Sequence, residues 1–198
     1  MFYRSITKLL EIVAKVLFRV EVIGLENIPK EGACIIASNH KSNWDSIILA
    51  GVLRSRRINC VAKKELFKNP LLKYLLDKLS VVPIDRYKPE ISTIKRILKI
   101  LKNKEVVAIF PEGTRHKDLD SFADVKAGVG MFALKGKAPV LPISLVSNYK
   151  LFSKVVVYID SPMSFDNYYN NKLSMEDYEF VSNEIMNKIK TNYFAYKY

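Results

Sequence analysis

A chain of 198 residues suits a single domain with its own hydrophobic core. Hydrophobic content of 49% and charged content of 26% are ordinary for a globular protein and argue against a disordered chain. Lys and Arg number 32 against 20 Asp and Glu, a formal charge of +12, which implies an anionic partner: nucleic acid, acidic lipid or a phosphorylated substrate.

At the N-terminus Phe2, Ile6, Leu9, Leu10, Val13, Val16, Leu17 and Val20 recur at helical spacing, with Arg4, Lys8, Glu11, Lys15 and Arg19 on the other side. Residues 1–20 are therefore expected to form an amphipathic helix, and 21–198 one further domain without repeats or linkers. Polar residues interrupt the helix throughout, so it lacks the apolar centre of a signal peptide. No apolar run in the chain reaches the ~18 to 20 residues of a membrane-spanning helix. A basic amphipathic helix either lies on a membrane surface or packs on its own domain, and the segment alone leaves both open.

The Pro and Gly of 28–32 mark a turn before an apolar strand at 33–38. Asn39-His40-Lys41-Ser42-Asn43-Trp44-Asp45 follows and opens a helix to about residue 53. A strand at 59–62, a helix through Leu71 and Leu72 to residue 79, and a strand at 81–84 ending at Asp85-Arg86 come next. The helix predicted at 90–102 sets Ile94, Ile97, Leu98 and Leu101 against Lys95, Lys99 and Lys102. A strand at 105–109 runs into Phe110-Pro111-Glu112-Gly113-Thr114-Arg115 and a polar loop. A helix at 126–136, strands at 138–145 and 154–159, and a helix opening at Ser174-Met175-Glu176-Asp177 complete the chain. Strands alternating with helices predict an α/β fold with a largely parallel or mixed central sheet flanked by helices. Both unusual motifs then sit at carboxyl ends of strands, where open α/β sheets bind ligands.

Histidine is the one ordinary side chain that titrates near neutrality, with a pKa of about 6.5. As a base His40 needs one ring nitrogen free and the other fixed by an acceptor, and Asp45 is a candidate. The i,i+5 spacing separates the two on a continuous helix, so they meet only if His40 precedes the helix and Asp45 lies in its first turn. Ser42-x-x-Asp45 also has the form of a capping box, which gives Asp45 a plain structural use. No serine or cysteine is placed as a nucleophile, so a base here would activate a substrate hydroxyl directly. Cys34 and Cys60 sit in apolar runs as small buried hydrophobes of a reducing compartment. The histidine and cysteine pattern offers no zinc site.

In the second motif Pro111 ends the strand and Gly113 permits a tight turn. Arg115 projects a planar fork suited to phosphate, or simply decorates a surface turn. Arg86, Lys63 and Lys64 end other strands, and several cations at strand ends suggest an anion-binding cleft. Asp118, Asp120 and Asp124 are too irregularly spaced for a metal and read as a solvated loop.

Asn-His-x-Ser-x-x-Asp at 39–45 with Phe-Pro-Glu-Gly-Thr-Arg at 110–115 resembles the glycerolipid acyltransferases, of the 1-acyl-sn-glycerol-3-phosphate (lysophosphatidic acid) type. The likeness spans about residues 24–159, including Ala62-Lys63-Lys64-Glu65-Leu66, Ile84-Asp85-Arg86, Lys126 with Gly128, and the strand at 139–142. It departs at Pro83, where a glycine- or phenylalanine-like approach is more usual. The resemblance implies that His40 is the general base and Asp45 orients it, while the hydroxyl of a lysolipid attacks an acyl thioester. It implies that Glu112, Gly113 and Arg115 build the acceptor site, Arg115 binding phosphate with help from Arg86 and Lys126, and that Lys63 lies near the oxyanion. It also implies acyl-CoA or acyl-carrier protein as donor, phosphatidic acid as product, no cofactor, and peripheral or monotopic work at the cytoplasmic face of an anionic membrane. Such a substrate favours the membrane reading of the N-terminal helix.

The chemistry agrees. A hydroxyl must lose its proton as it attacks, a service worth ~10² to 10⁴ in rate. A thioester is already activated and needs no covalent enzyme intermediate. A nucleic-acid-binding protein would gather its cations and aromatics on one face, whereas the lysines here are spread over several helices. A non-catalytic membrane module would have no use for His40, Asp45, Glu112 and Arg115. A sibling enzyme accepting glycerol 3-phosphate or another lysolipid is the remaining alternative.

Overall fold

The protein is described by a computed structural model over residues 2–85 and 90–197. Within these described residues seven strands form the central layer: β1 (Arg19–Ile23), β2 (Cys34–Ser38), β3 (Ile58–Lys63), β4 (Val82–Ile84), β5 (Val106–Ile109), β6 (Val140–Val146) and β7 (Lys154–Ile159). Among the described residues six α-helices surround it: α1 (Phe2–Leu17), α2 (Trp44–Val52), α3 (Pro70–Lys78), α4 (Ile91–Lys102), α5 (Gly128–Gly136) and α6 (Met175–Lys197). The strand order is β1-β7-β6-β2-β5-β3-β4, parallel at every pairing except β6 with β7. The expected mixed α/β sheet is therefore present, and so is every predicted element.

Both faces of the sheet are covered, which is why its central strands β2, β5 and β6 are largely apolar along their length rather than at alternate positions. Cys34 and Ile36 of β2, with Leu141, Ile143 and Leu145 of β6, pack with Ala14 of α1 and Ile48 and Leu49 of α2. Ile35 and Ala37, one residue out of phase, pack on the other face with Ile97 and Leu101 of α4, Phe132 and Ala133 of α5, and Val181, Ile185 and Ile189 of α6. Each fully buried Ile or Leu among them contributes about 1.5 to 3 kcal/mol of hydrophobic stabilisation.

The N-terminal segment differs from its predicted extent. The helix stops at Leu17, and Arg19 and Val20 belong to β1, parallel to β7 in register Arg19↔Lys154. Val20 and Val22 alternate with Arg19 and Glu21, the pattern of an edge strand, and Glu21 pairs with Lys154 at 2.7 Å. Val20 also continues the helical spacing of the stripe before it, so periodicity alone carried the helix three residues too far.

α1 packs along α2 so closely that a Cβ on Gly51 would lie 2.8 Å from Glu11 Cα. Thr7, Ala14 and the following Phe18 are buried, and Phe18 meets Trp44 edge-on with ring centroids 5.3 Å apart. Phe2, Leu9, Ile12 and Val16 remain exposed. Among the described residues no helix is long and apolar enough to cross a membrane.

Candidate active site

β2 and β5 are adjacent and parallel, with Ile36 opposite Ala108 and Ala37 opposite Ile109. Their carboxyl ends therefore deliver the segments after Ser38 and after Ile109 to one edge of the sheet. His40 lies in the short connection before α2, and Asp45 is the second residue of that helix. This is the arrangement their spacing required. His40 Nδ1 stands 2.9 Å from Asp45 Oδ2. A carboxylate acceptor there holds the proton on Nδ1 and leaves Nε2 as the basic nitrogen.

Asp45 also serves the turn. Oδ2 accepts the backbone N–H groups of Lys41 at 2.7 Å and Ser42 at 2.8 Å. One carboxylate thus serves both the histidine ring and the turn, and it is wholly buried at 0% exposure. Its other oxygen accepts the Tyr149 hydroxyl at 2.5 Å. A buried carboxylate needs such donors, because desolvating it without them costs several kcal/mol.

The His40 ring stacks on Phe110 at 3.9 Å and 11°. It is 6% exposed, and its accessible edge faces a cleft of about 580 Å³ lined also by Asn43, Ser46, Lys63, Thr114 and Arg115. Two of the predicted cations, Lys63 and Arg115, therefore share a cavity with the histidine. Lys64 is instead paired with Asp85 at 2.5 Å. Arg86 lies outside the described residues.

Glu112 turns inward, 1% exposed. Oε1 accepts His40 N–H at 2.8 Å and Oε2 accepts Ala123 N–H at 2.9 Å, so the carboxylate ties the two motifs together. Gly113 takes φ +64°, the left-handed conformation that its place after Pro111 and Glu112 demands, and its N–H returns to Phe110 O at 2.9 Å. Lys126 N–H bonds Pro111 O at 2.9 Å, which sets that lysine beside Gly113.

A second cavity, about 340 Å³, adjoins the first across their common walls, Val61 and Phe110. It is apolar, formed by Ile84, Ile94, Ile109, Val129, Met131 and Phe132, with Gly113 and Lys126 also on its wall. A Cβ on Gly128, another wall residue, would meet nothing within 4 Å.

Two participants carried no signal in the sequence. Tyr149 is an aromatic in a polar loop, 104 residues from its partner Asp45. Lys41 looks like any surface lysine, yet it is buried, its ammonium 3.9 Å from the centre of the Phe122 ring and bonded to the carbonyls of Asp118 (2.7 Å) and Ser121. Burial lowers its pKa from the ordinary lysine value, against the opposing pull of Glu112, Asp118 and Asp45. The thiols of Cys34 and Cys60 are pushed up to about 11 by burial and stand apart from the cleft linings. Among the described residues no group of three or more His, Cys, Asp or Glu is arranged to hold a metal.

Comparison with known proteins agrees with this geometry. Residues 19–146 match the family model described as Acyltransferase. The chain is 35% identical over 156 residues to a Bacillus subtilis 1-acyl-sn-glycerol-3-phosphate acyltransferase, covering 77% of this chain and 76% of that one. It is 37% identical over 130 residues to the enzyme of that name from Pseudomonas aeruginosa, covering 64% of this chain and 49% of its relative. The crystal structure of the 1-acyl-sn-glycerophosphate (LPA) acyltransferase PlsC from Thermotoga maritima superposes with a TM-score of 0.73 at 25% identity, covering 96% of this chain and 78% of that one. With both motifs assembled in one cleft on the shared fold, the chain belongs to the acyltransferase family, among the 1-acyl-sn-glycerol-3-phosphate acyltransferases.

Proposed function

We propose that this protein transfers an acyl chain from a thioester to the free hydroxyl of 1-acylglycerol 3-phosphate, giving phosphatidic acid. The observation that carries the reading is the His40–Asp45 pair at a cleft lined by Arg115 and Lys63, next to an apolar cavity. His40 Nε2 takes the hydroxyl proton as the oxygen attacks the thioester carbonyl. The tetrahedral intermediate collapses by breaking the C–S bond, and the departing thiolate receives that proton from the imidazolium. Asp45 holds the ring and stabilises its charge. Arg115 binds the acceptor phosphate and converts binding into alignment of the hydroxyl, with Arg86 and Lys126 adding positive charge. Lys63 offers positive charge to the developing oxyanion. Glu112 and Gly113 shape the acceptor side by holding the backbone of the two motifs.

The apolar cavity suits the acyl chain being transferred, since its shared walls with the cleft put a chain entering it beside His40. The donor is acyl-CoA or acyl-carrier protein, either of which presents its acidic group to a chain of charge +12.

The enzyme works on an anionic membrane, peripherally, from the cytoplasmic face where thioester donors are available. Phe2, Leu9, Ile12 and Val16 project from α1, and Leu151 and Phe152 project from the loop after β6. Phe152 N–H bonds Leu17 O at 2.7 Å, so the loop lies against the end of α1. Exposed cations near such a surface, Arg4, Lys8, Lys15 and Arg19 here, each add about 1 kcal/mol of attraction to acidic lipid. The deciding assay crosses lysophosphatidic acid, glycerol 3-phosphate and lysophosphatidylcholine with both donors. Phosphatidic acid should be the main product, and a preference for another acceptor would reassign the enzyme within its family.

A further inference from the structure

We infer that Tyr149 is a positioning residue of the acyl-transfer centre, acting on His40 through Asp45; this rests on the dyad reading above. Its hydroxyl lies 2.5 Å from Asp45 Oδ1, the oxygen that neither His40 nor the turn amides use. The phenol is the donor, since burial and then the Asp45 charge push its pKa well above the ordinary tyrosine value. A hydrogen bond to one carboxylate oxygen withdraws charge from the other, so Tyr149 tempers how strongly Asp45 holds a proton on His40.

The loop carrying Tyr149 is built to keep it there. Tyr149 has φ 54° and Phe152 φ 60°, left-handed conformations that residues with a Cβ seldom take. Surrounding bonds hold them: Ser147 Oγ accepts Tyr149 N–H at 3.0 Å and donates to Lys154 O at 2.9 Å, and Arg19 Nε donates to Phe152 O at 3.1 Å. Among the described residues the titratable groups facing the Asp45–Tyr149 pair are His40, Lys41 and Tyr193, with Glu112 and Asp118 beyond Lys41.

The test is the pH profile of kcat/KM, whose acidic limb reports the essential base of the free enzyme. Tyr149→Phe leaves Asp45 a stronger partner for the imidazolium, so the acidic limb should move to higher pH by about one unit. Its kcat should fall about tenfold, with the acceptor KM little changed. Replacing Tyr149 by 3-fluorotyrosine keeps the hydroxyl but makes it a stronger donor, so the limb should move the opposite way; this variant also serves if Tyr149→Phe does not fold. A limb unmoved by fluorination, in an assay where His40→Ala is inactive, overturns the role of Tyr149. Near-normal turnover by His40→Ala overturns the dyad beneath it instead.

Discussion

Glu112 and His40 are joined through the backbone: the Glu112 carboxylate accepts the His40 N–H at 2.8 Å and, through its second oxygen, the Ala123 N–H at 2.9 Å. His40 O in turn accepts the N–H of His116 at 2.8 Å. The histidine is thus clamped on both sides of its peptide by the segment that also carries Arg115. This clamp couples His40 to the loop of Arg115, and it gives Glu112 a task that needs both oxygens as acceptors.

Glu112→Gln keeps the shape but turns one acceptor into a donor facing a buried N–H. It should lower unfolding stability by about 1 to 3 kcal/mol. We expect kcat to fall more than the acceptor KM rises, because the displaced group is the proposed base. Denaturant titration with steady-state kinetics checks this. A variant of unchanged kcat and raised acceptor KM would put the Glu112 carboxylate on the substrate.

Much of this was legible from local pattern. The strands before His40 and before Phe110 are uninterrupted apolar runs, and their burial on both faces of the sheet explains why. Pro111 and Gly113 announced the turn that brings Arg115 to the cleft. What local pattern could not carry was long-range pairing. That Glu112 faces inward depends on meeting the His40 amide 72 residues away, and Asp45 meets Tyr149 across 104. The stripe on α1 left packing and lipid contact both open, and the helix offers a surface to each. Ala14 packs on the domain while Leu9, Ile12 and Val16 stay in solvent, so packing and lipid contact need not exclude one another.

That division of α1 predicts separable effects. Leu9→Ser with Val16→Ser removes exposed apolar area only, so unfolding stability should change by less than about 0.5 kcal/mol. Sedimentation with anionic vesicles should fall sharply, and high salt should weaken binding of the unaltered protein. Deleting residues 2–17 should instead destabilise the fold, because it uncovers α2 at Gly51 and Ile48. Unimpaired vesicle binding by the double serine variant would place the lipid contact elsewhere.

Arg115→Lys keeps the charge and loses the two-pronged geometry. The KM for lysophosphatidic acid should rise about tenfold, the value of roughly one charge-assisted hydrogen bond, with the donor KM nearly constant. Varying each substrate in turn decides it. A defect confined to the thioester would move Arg115 to the donor side.

Gly128 opens on the apolar cavity with free space where a side chain would start. Gly128→Leu should fill part of that space and shift preference toward shorter acyl donors, with activity on the shortest largely kept. Competition among thioesters of graded chain length measures the shift. An unchanged donor profile with an altered acceptor profile would assign the cavity to the lysolipid chain.

The central claim is that His40 removes the proton from the attacking hydroxyl. Its most direct measurement is the acyl-transfer rate of purified His40→Ala with lysophosphatidic acid and a thioester donor, alongside a folding check by circular dichroism. The account predicts at least ~100-fold slower turnover in a folded protein. Near-normal turnover by that folded variant would contradict it.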